Sequence, residues 1–461
     1  MLFSNSYQFK RSTMTDNKMK NAFSYYCQGE SHKATNKVCQ DYSFTSSDDD
    51  LTIAIVSDGH GGERYFRSNL GSEYATVATF EAVTYFIKHI GDSLFVGKPF
   101  TAVGPTNAIH DGQHLSKEDS ALRQLFSSII YRWNEKIKQH AKTHELTDWE
   151  KENVPLTYLE EFEKTDTFEK HYGCTLMVYA QTKTYWFAFQ IGDGKCISFQ
   201  KEPIWSEPIP WDDNCFLNKT TSLCDSSAIE EFRYCYQGDG NFPMAVVLGS
   251  DGLDDSFGET SNLANFYIQI LKMLAKEGID ATEKSLKETL PKLSEIGSKD
   301  DMSVACVFNL KEVNENIQQF IRYQLDMIKD KLNTIEQRIV KLEIKRESLI
   351  TFKDRTTQIE YNYALQDLRK AISERQSLAH KYNLIAEELP KDLVTPYTIE
   401  DDNSIAFDNP NSPNNSNVDR IDEKKDYDEV QDLSDFKDKK TKEIIEETDE
   451  ESGMTEITPN S

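Results

Sequence analysis

Five short segments of this 461-residue chain each set an aspartate in a turn next to an apolar run. They are Cys39-Gln40-Asp41, Ser57-Asp58-Gly59-His60-Gly61-Gly62, Ile191-Gly192-Asp193-Gly194, Gly249-Ser250-Asp251-Gly252-Leu253-Asp254-Asp255 and Gly297-Ser298-Lys299-Asp300-Asp301-Met302. Any one alone reads as a turn, because Asp-Gly after a strand is ordinary turn chemistry. Together they ask for more. Asp58 and Asp251 each follow an apolar run and Asp300 precedes one. Carboxylates at sheet ends are costly unless hydrated or neutralised by cations. Several carboxylates without a His/Cys set at ligand spacing suit hard divalent cations such as Mn2+ or Mg2+. Two such ions about 3.5–4 Å apart can activate a water for in-line attack on phosphorus, so the pattern implies phosphate-ester hydrolysis. Glycine beside a ligand aspartate lets a backbone oxygen come close to the metal.

The elements that must carry these turns are legible as strands and helices. Leu51 to Val56 (LTIAIV) reads as a buried strand, and so do TLMVYA (175–180), YWFAFQIGD (185–193), CISFQ (196–200), MAVVLGSDG (244–252) and SVACVFNL (303–310). Short turns between several of them predict antiparallel meanders. Helical periodicity marks Glu63 to Ile90 as one helix or two, then Ala121 to His144, Leu263 to Gly278 and Ala281 to Gly297. Strands in pairs and helices in pairs predict an α+β layered sandwich, not a regular βαβ alternation. Residues 91–119, and also 203–240, read as surface insertions rich in breakers.

Past residue 312 the pattern changes. Ile321, Leu325, Ile328, Leu332, Ile335, Ile339, Leu342 and Leu349 follow steps of four and three, broken at Arg346. A second phase runs through Leu365, Leu368, Ile372, Ala379, Tyr382 and Leu389, broken at Arg375. The phase fixes a seam but not its partner, so a helical hairpin and a dimerising coiled coil both remain open for 312–390. Since the seam reads as self-contained, a chain cut at about 312 is expected to fold. Residues 391–461 lose all hydrophobic periodicity and are predominantly acidic, which predicts a disordered tail. A flexible N-terminal segment, 1–20, precedes the folded part, 21–311.

Composition narrows the classes. A net charge of −26 argues against nucleic-acid binding, although the tail supplies much of it. Eight cysteines without a CxxC pair read as buried thiols in a reducing compartment. The polar N-terminus does not read as a signal peptide, and no run approaches the ~20 apolar residues of a membrane span. The expectation is a cytoplasmic protein that engages no membrane.

In order and spacing, the aspartate segments resemble those of the protein phosphatase 2C (PPM-type) family of metal-dependent serine/threonine phosphatases, from Gly29 to Leu310. DGHGG at 58–62 is the most specific run. It is supported by GCT at 173–175, IGDG at 191–194, SDGLDD at 250–255 and SKDDMSV at 298–304. The opening SHKATNKVCQDYSF (31–44) is similar to the form in a bacterial-type branch. The resemblance implies a layered β-sandwich flanked by helices. It implies that Asp58 bridges two Mn2+ or Mg2+ ions, with the Gly59 carbonyl as a further ligand. Asp251 and Asp300 would complete one metal site, and Asp41 would hold a metal-coordinated water. Asp193 and Asp255 match positions that bind a weaker third ion, with Asp251, in bacterial relatives. His60 matches the proposed general acid to the leaving alkoxide, a role suited to an imidazole.

Two departures stand out. Gln40 occupies the place of a glutamate that ligates the second metal in many relatives; its amide oxygen can coordinate but lacks the charge. The family's phosphate-gripping arginine is missing from its usual place. Asn36 stands about there, and His32, Lys33 and Lys37 are the substitutes at hand, although lysines in a loop are more simply solvated charges. Asp254 adds a third carboxylate to the 251–255 turn, either as a cation donor or as a helix cap. The resemblance thus implies hydrolysis of phosphoserine or phosphothreonine in a protein substrate, opposing a Ser/Thr kinase in signalling. The alternative is a weak or inactive phosphatase-fold scaffold that self-associates or binds partners through 312–390 and the acidic tail. Retention of Asp41, Asp58, Asp251 and Asp300 favours the enzyme, because unneutralised buried carboxylates are lost easily.

Overall fold

The β-branched and aromatic runs pair into two antiparallel sheets in a computed structural model that describes residues 21–90, 93–105, 115–164, 166–215, 219–351 and 354–399. One sheet has the order β1-β11-β10-β7-β8. Its strands are β1 (Ala22–Cys27), β7 (Lys195–Phe199), β8 (Trp205–Ser206), β10 (Ala245–Gly249) and β11 (Met302–Phe308). The other has the order β2-β3-β5-β6-β9-β4. It comprises β2 (Tyr42–Ser47), β3 (Thr52–Ser57), β4 (Thr101–Val103), β5 (Leu176–Gln181), β6 (Trp186–Ile191) and β9 (Arg233–Gln237).

The central strands are apolar along their whole length because both their faces are covered. Ala54, Val56, Met177, Tyr179 and Ala188 of one sheet meet Cys196, Val246, Leu248, Ala305 and Val307 of the other in a layer between the sheets. Their alternate residues face outward under helices. Ile53, Ile55, Val178, Phe187 and Phe189 pack beneath α2 (Ser68–Ile90) and α3 (Lys117–Thr143). Ile197, Val247, Val304 and Cys306 pack beneath α8 (Thr260–Glu277) and α9 (Ile279–Ile296). This is the expected α+β sandwich flanked by helices. Shorter helices complete the body: α1 (Glu30–Ala34), α4 (Asp148–Asn153), α5 (Leu156–Lys164), α6 (Ala228–Glu231), α7 (Asp251–Phe257) and α10 (Leu310–Glu315).

The two segments read as surface insertions do more than that. Residues 101–103 supply the edge strand β4, and 203–240 supply β9 together with buried Leu223, Cys224, Ala228 and Phe232. Ala102 is a weak strand former in isolation; pairing with Cys235 of β9 sets its conformation. The 63–90 stretch divides into a single turn, Glu63–Tyr65, and α2.

After β11 come two 32-residue helices, α11 (Ile317–Ser348) and α12 (Arg355–Ala386). Ile321, Leu325, Ile328, Leu332, Ile335 and Ile339 pack on Leu368, Ala371, Leu378, Ala379 and Tyr382 within the one chain, which makes a hairpin. Its base is not detached from the sandwich. Val313 and Phe320 are fully buried in the β10–β11 core, Phe320 lies edge-on to Phe199, and the Tyr323 hydroxyl accepts from Trp205 Nε1 at 2.7 Å. The cut expected to be harmless at 312 falls inside that core. The 1–20 segment and the tail from residue 400 onward lie outside the described residues. Among the described residues no helix is long and apolar enough to cross a membrane.

Candidate active site

The strand order brings the aspartate turns to one end of the sandwich. Asp58 follows β3, Asp251 follows β10 as the first residue of α7, and Asp41 and Asp300 precede β2 and β11. Main-chain and hydroxyl bonds fix each turn. The Asp58 N–H donates to Thr175 Oγ1 at 3.0 Å, and the Thr175 N–H donates back to the Asp58 carbonyl at 2.8 Å. Ser250 and Ser303 tie β10 to β11: the Ser250 N–H donates to the Ser303 carbonyl, and the Ser303 N–H donates to Ser250 Oγ, both at 3.0 Å. The Ser303 hydroxyl then donates to Asp41 Oδ2 at 2.7 Å. Lys299, one residue before Asp300, takes a left-handed backbone (φ 66°), and its carbonyl accepts from the Ser31 N–H and hydroxyl. A non-glycine residue in that region is the kind of strain that clusters at functional sites.

Electrostatics set these carboxyls apart from the rest of the molecule. Burial first, then the charges of Asp251, Asp41 and Asp300, push the Asp58 carboxyl well above its ordinary range. Burial and Asp301 do the same to Asp41. Burial lifts Asp251 to about 7 and Asp254 to about 6, and raises Asp300 and Asp193 as well. Asp58 and Asp251 are within hydrogen-bonding reach of one another. No basic side chain forms an ion pair with Asp41, Asp58, Asp251 or Asp300 among the described residues. Such a cluster holds its charge only if cations share the space.

The chemistry of the donors fits hard divalent cations. All are oxygens. Gln40 adds a specific sign: its Nε2 donates to the His60 carbonyl (3.1 Å) and to Ser68 Oγ (2.6 Å), and Oε1 is left buried with no hydrogen-bond partner. Gly59 adds another. A Cβ there would lie 2.6 Å from the Gln40 carbonyl and 2.8 Å from that of Ser68, so only glycine lets the chain pass this close. The side chains do not form a closed set, however. Among the described residues no three His, Cys, Asp or Glu side chains stand at distances that would already hold a metal ion.

Asp193 and Asp255 form a second pair of carboxyls that face Asp251. The turn carrying Asp193 depends on Gly192, at φ 113°. Its N–H donates to Thr221 Oγ1 at 3.0 Å, and buried Arg233 donates through Nη2 to its carbonyl. Of the residues considered for gripping phosphate, His32 is committed elsewhere, because its Nδ1 lies 2.9 Å from Asp301 Oδ2. Asp301 also accepts from the backbone N–H groups of Gly29 and Gln40, so it clamps the 29–40 loop. Lys33 pairs with Glu30 at 3.5 Å, and Lys37 Nζ reaches the Gly61 carbonyl at 3.3 Å. Asn36 is a left-handed turn residue (φ 53°).

His60 sits in a tight cage. Its Nε2 is 2.7 Å from Ser222 Oγ, and its ring packs edge-on to Tyr65 at 4.8 Å. Burial pushes the imidazole down to about 4, so at neutral pH the ring is uncharged in this setting. The acid role expected of it therefore demands that a proton be gained during the reaction. Ser222, Thr175, Ser303, Asp301 and Arg233 escaped sequence reasoning. Of these, Thr175 lay in a segment already singled out, as the last residue of GCT, and Asp301 and Ser303 lay within SKDDMSV at 298–304 without a role of their own.

Comparison with known proteins gives a family. A family model described as protein phosphatase 2C matches residues 28–291. No curated protein sequence matches the chain significantly. Among solved structures, a C. elegans sex determining protein aligns at a TM-score of 0.40 and 16% identity, over 65% of this chain and 68% of that one. A serine/threonine phosphatase of Staphylococcus aureus aligns at 0.37 and 14%, over 64% and 97% of the two chains. PppA of Pseudomonas aeruginosa aligns at 0.36 and 16%, over 63% and 98%.

Proposed function

The chain belongs to the protein phosphatase 2C family of serine/threonine phosphatases, and on that premise we propose that it hydrolyses phosphoserine or phosphothreonine in protein substrates with Mn2+ or Mg2+ as cofactor. The observation that carries this reading is a group of carboxyls that form no ion pair among the described residues, Asp41 buried, Asp58 and Asp251 half-buried and Asp300 exposed at the rim, together with the unengaged oxygen of Gln40 next to Asp41 in the chain. Asp58, Asp251, Asp300, the Gly59 carbonyl and Gln40 Oε1 would hold two ions, and Asp193, Asp255 and Asp251 a third. When bound, such ions supply Lewis acidity towards water and towards the phosphoryl oxygens.

The chain's own residues do the remaining work. In the reaction the oxygen of water bonds to phosphorus, the P–O bond of the ester breaks, and its electron pair leaves on the serine or threonine oxygen. Asp41, held by Ser303, orients the water by accepting a hydrogen bond from it. We assign passage of a proton to the departing oxygen to His60: Nδ1, the ring nitrogen that Ser222 does not engage, takes up the proton that the attacking water releases and hands it to the serine or threonine oxygen. Such transfer typically contributes about 10²–10⁴-fold. The products are inorganic phosphate and the free hydroxyl. In the cell this activity would oppose a Ser/Thr kinase.

Hydrolysis of p-nitrophenyl phosphate by the full chain tests the reading. Turnover should require Mn2+, stop in EDTA, and fall by about 10²–10³-fold or more in Asp58→Asn, the scale of losing a principal electrostatic element. Turnover that survives EDTA, or that the variant keeps, would sink it.

A further inference from the structure

Ser222 lies in a segment that reads from sequence as a surface insertion, yet its hydroxyl is the junction at which His60 is held. Four contacts define the junction. Nε2 of His60 lies at 2.7 Å, the Cys174 carbonyl at 3.0 Å, the Cys224 sulfur at 3.2 Å and the Cys224 N–H at 3.3 Å. A hydroxyl carries one hydrogen and two lone pairs. The Cys174 carbonyl can only accept, so the hydroxyl's hydrogen goes to it. The lone pairs then receive the Cys224 N–H and a hydrogen on Nε2. The nitrogen engaged by a neighbour determines which tautomer a histidine keeps.

The junction is itself braced. The Ser222 N–H donates to Asp225 Oδ2 at 3.0 Å, Lys170 Nζ donates to Asp225 Oδ1 at 2.7 Å, and the Leu223 N–H donates to the Cys174 carbonyl at 3.0 Å. The ring cannot turn over freely. Tyr65 meets it edge-on, and a Cβ on Gly173 would already come within 2.8 Å of its Cδ2.

We propose that Ser222 is a positioning residue: it locks His60 as the Nε2–H tautomer in one orientation, so that Nδ1 is the nitrogen that exchanges a proton with the departing ester oxygen. This rests on the phosphatase reading of the site. It concerns Ser222 alone and can fail separately.

Two substrates separate positioning from general damage. An alkyl oxygen leaving from a phosphothreonine peptide needs a proton, whereas p-nitrophenolate leaves without one. With Mn2+, Ser222→Ala in the full chain should lower kcat on the peptide about 10–100-fold, the scale typical of losing an orienting partner. On p-nitrophenyl phosphate it should change kcat by less than about twofold, since only the proton-requiring step is affected. Ser222→Thr, which keeps the hydroxyl, should restore the peptide rate. Equal losses on both substrates, or no loss on the peptide, would overturn the proposal. A second readout needs neither turnover nor metal. The 15N resonances of the His60 ring should show Nε2 protonated and Nδ1 bare in the wild type, and averaging of the two in Ser222→Ala. A wild-type ring protonated at Nδ1 refutes the lock, whereas the expected ring in a chain that hydrolyses neither substrate supports the lock and refutes the phosphatase reading.

Discussion

Charged groups are buried in two ways in this molecule, and the contrast separates architecture from chemistry. Beside α2, Arg67 lies under Phe162 with Glu150 at 2.5 Å and the Tyr172 hydroxyl at 3.1 Å. At the hairpin base, Lys272 Nζ donates to Gln324 at 2.8 Å and Glu388 at 2.7 Å. Each of these charges has its counter-charge within the chain. At the end of the sandwich, Asp41, Asp58 and Asp251 form no ion pair among the described residues and face hydroxyls and further carboxyls instead. A charge paired within the chain holds the chain together. One that is left unpaired among like charges makes the fold pay for something that must come from outside.

The largest expected effect lies on the paired side. Arg67→Ala leaves Glu150 buried without its partner and should cost about 3–5 kcal/mol. That corresponds to a fall of roughly 10 °C in Tm. Thermal unfolding of the full chain measures it, and a loss below about 1 kcal/mol would erase the distinction.

The next effect runs in the opposite direction. Asp58→Asn removes one of several crowded charges, so in EDTA its Tm should equal or exceed that of the wild type. Mn2+ should stabilise the wild type by about 2.7 kcal/mol at one hundred times its Kd, and the variant hardly at all. An asparagine variant less stable than the wild type in EDTA would move Asp58 into the structural class, as would a wild-type Tm indifferent to Mn2+.

How far each class shows in the sequence follows from what makes it. The aspartates were legible because each interrupts a dense apolar run at a glycine turn, and β3, β5, β6, β10 and β11 were legible for the same reason. Their supporting residues were not. Asp301 looks like a twin of Asp300 until the fold brings Gly29, His32 and Gln40 to it across more than 260 residues. Ser222 is one polar residue among several in TTSLCDSS; only the approach of His60 and the Cys174 carbonyl from distant segments gives it a role. Arg67 carries no local mark of burial, because Glu150 and Tyr172 reach it from distant segments. The seam of α11 was clear, but periodicity could not say that its first turns, at Phe320 and Tyr323, belong to the sandwich.

The smallest effect refines the paired side, through pH. Burial alone would raise the Glu150 carboxyl, but it is outweighed by the hydrogen bond from Arg67, the Thr147 N–H, the Arg67 charge and the Thr147 hydroxyl, so the net shift is downward. A carboxyl with a lower pKa folded than unfolded adds stability that is complete above its unfolded value, about 4.3. It is lost as pH falls through the folded value. Glu150→Gln isolates this charge, since glutamine at the third helical position can still close the Thr147 capping box of α4. The wild type should therefore lead the variant in Tm by a constant margin from pH 7 down to about 5 and lose that margin progressively below about pH 4.5. Thermal scans of both proteins in EDTA across that range would show it. A margin that stays flat to pH 3, or that grows on acidification, would mean that the Arg67–Glu150 contact contributes by shape and hydrogen bonding alone, without its charge.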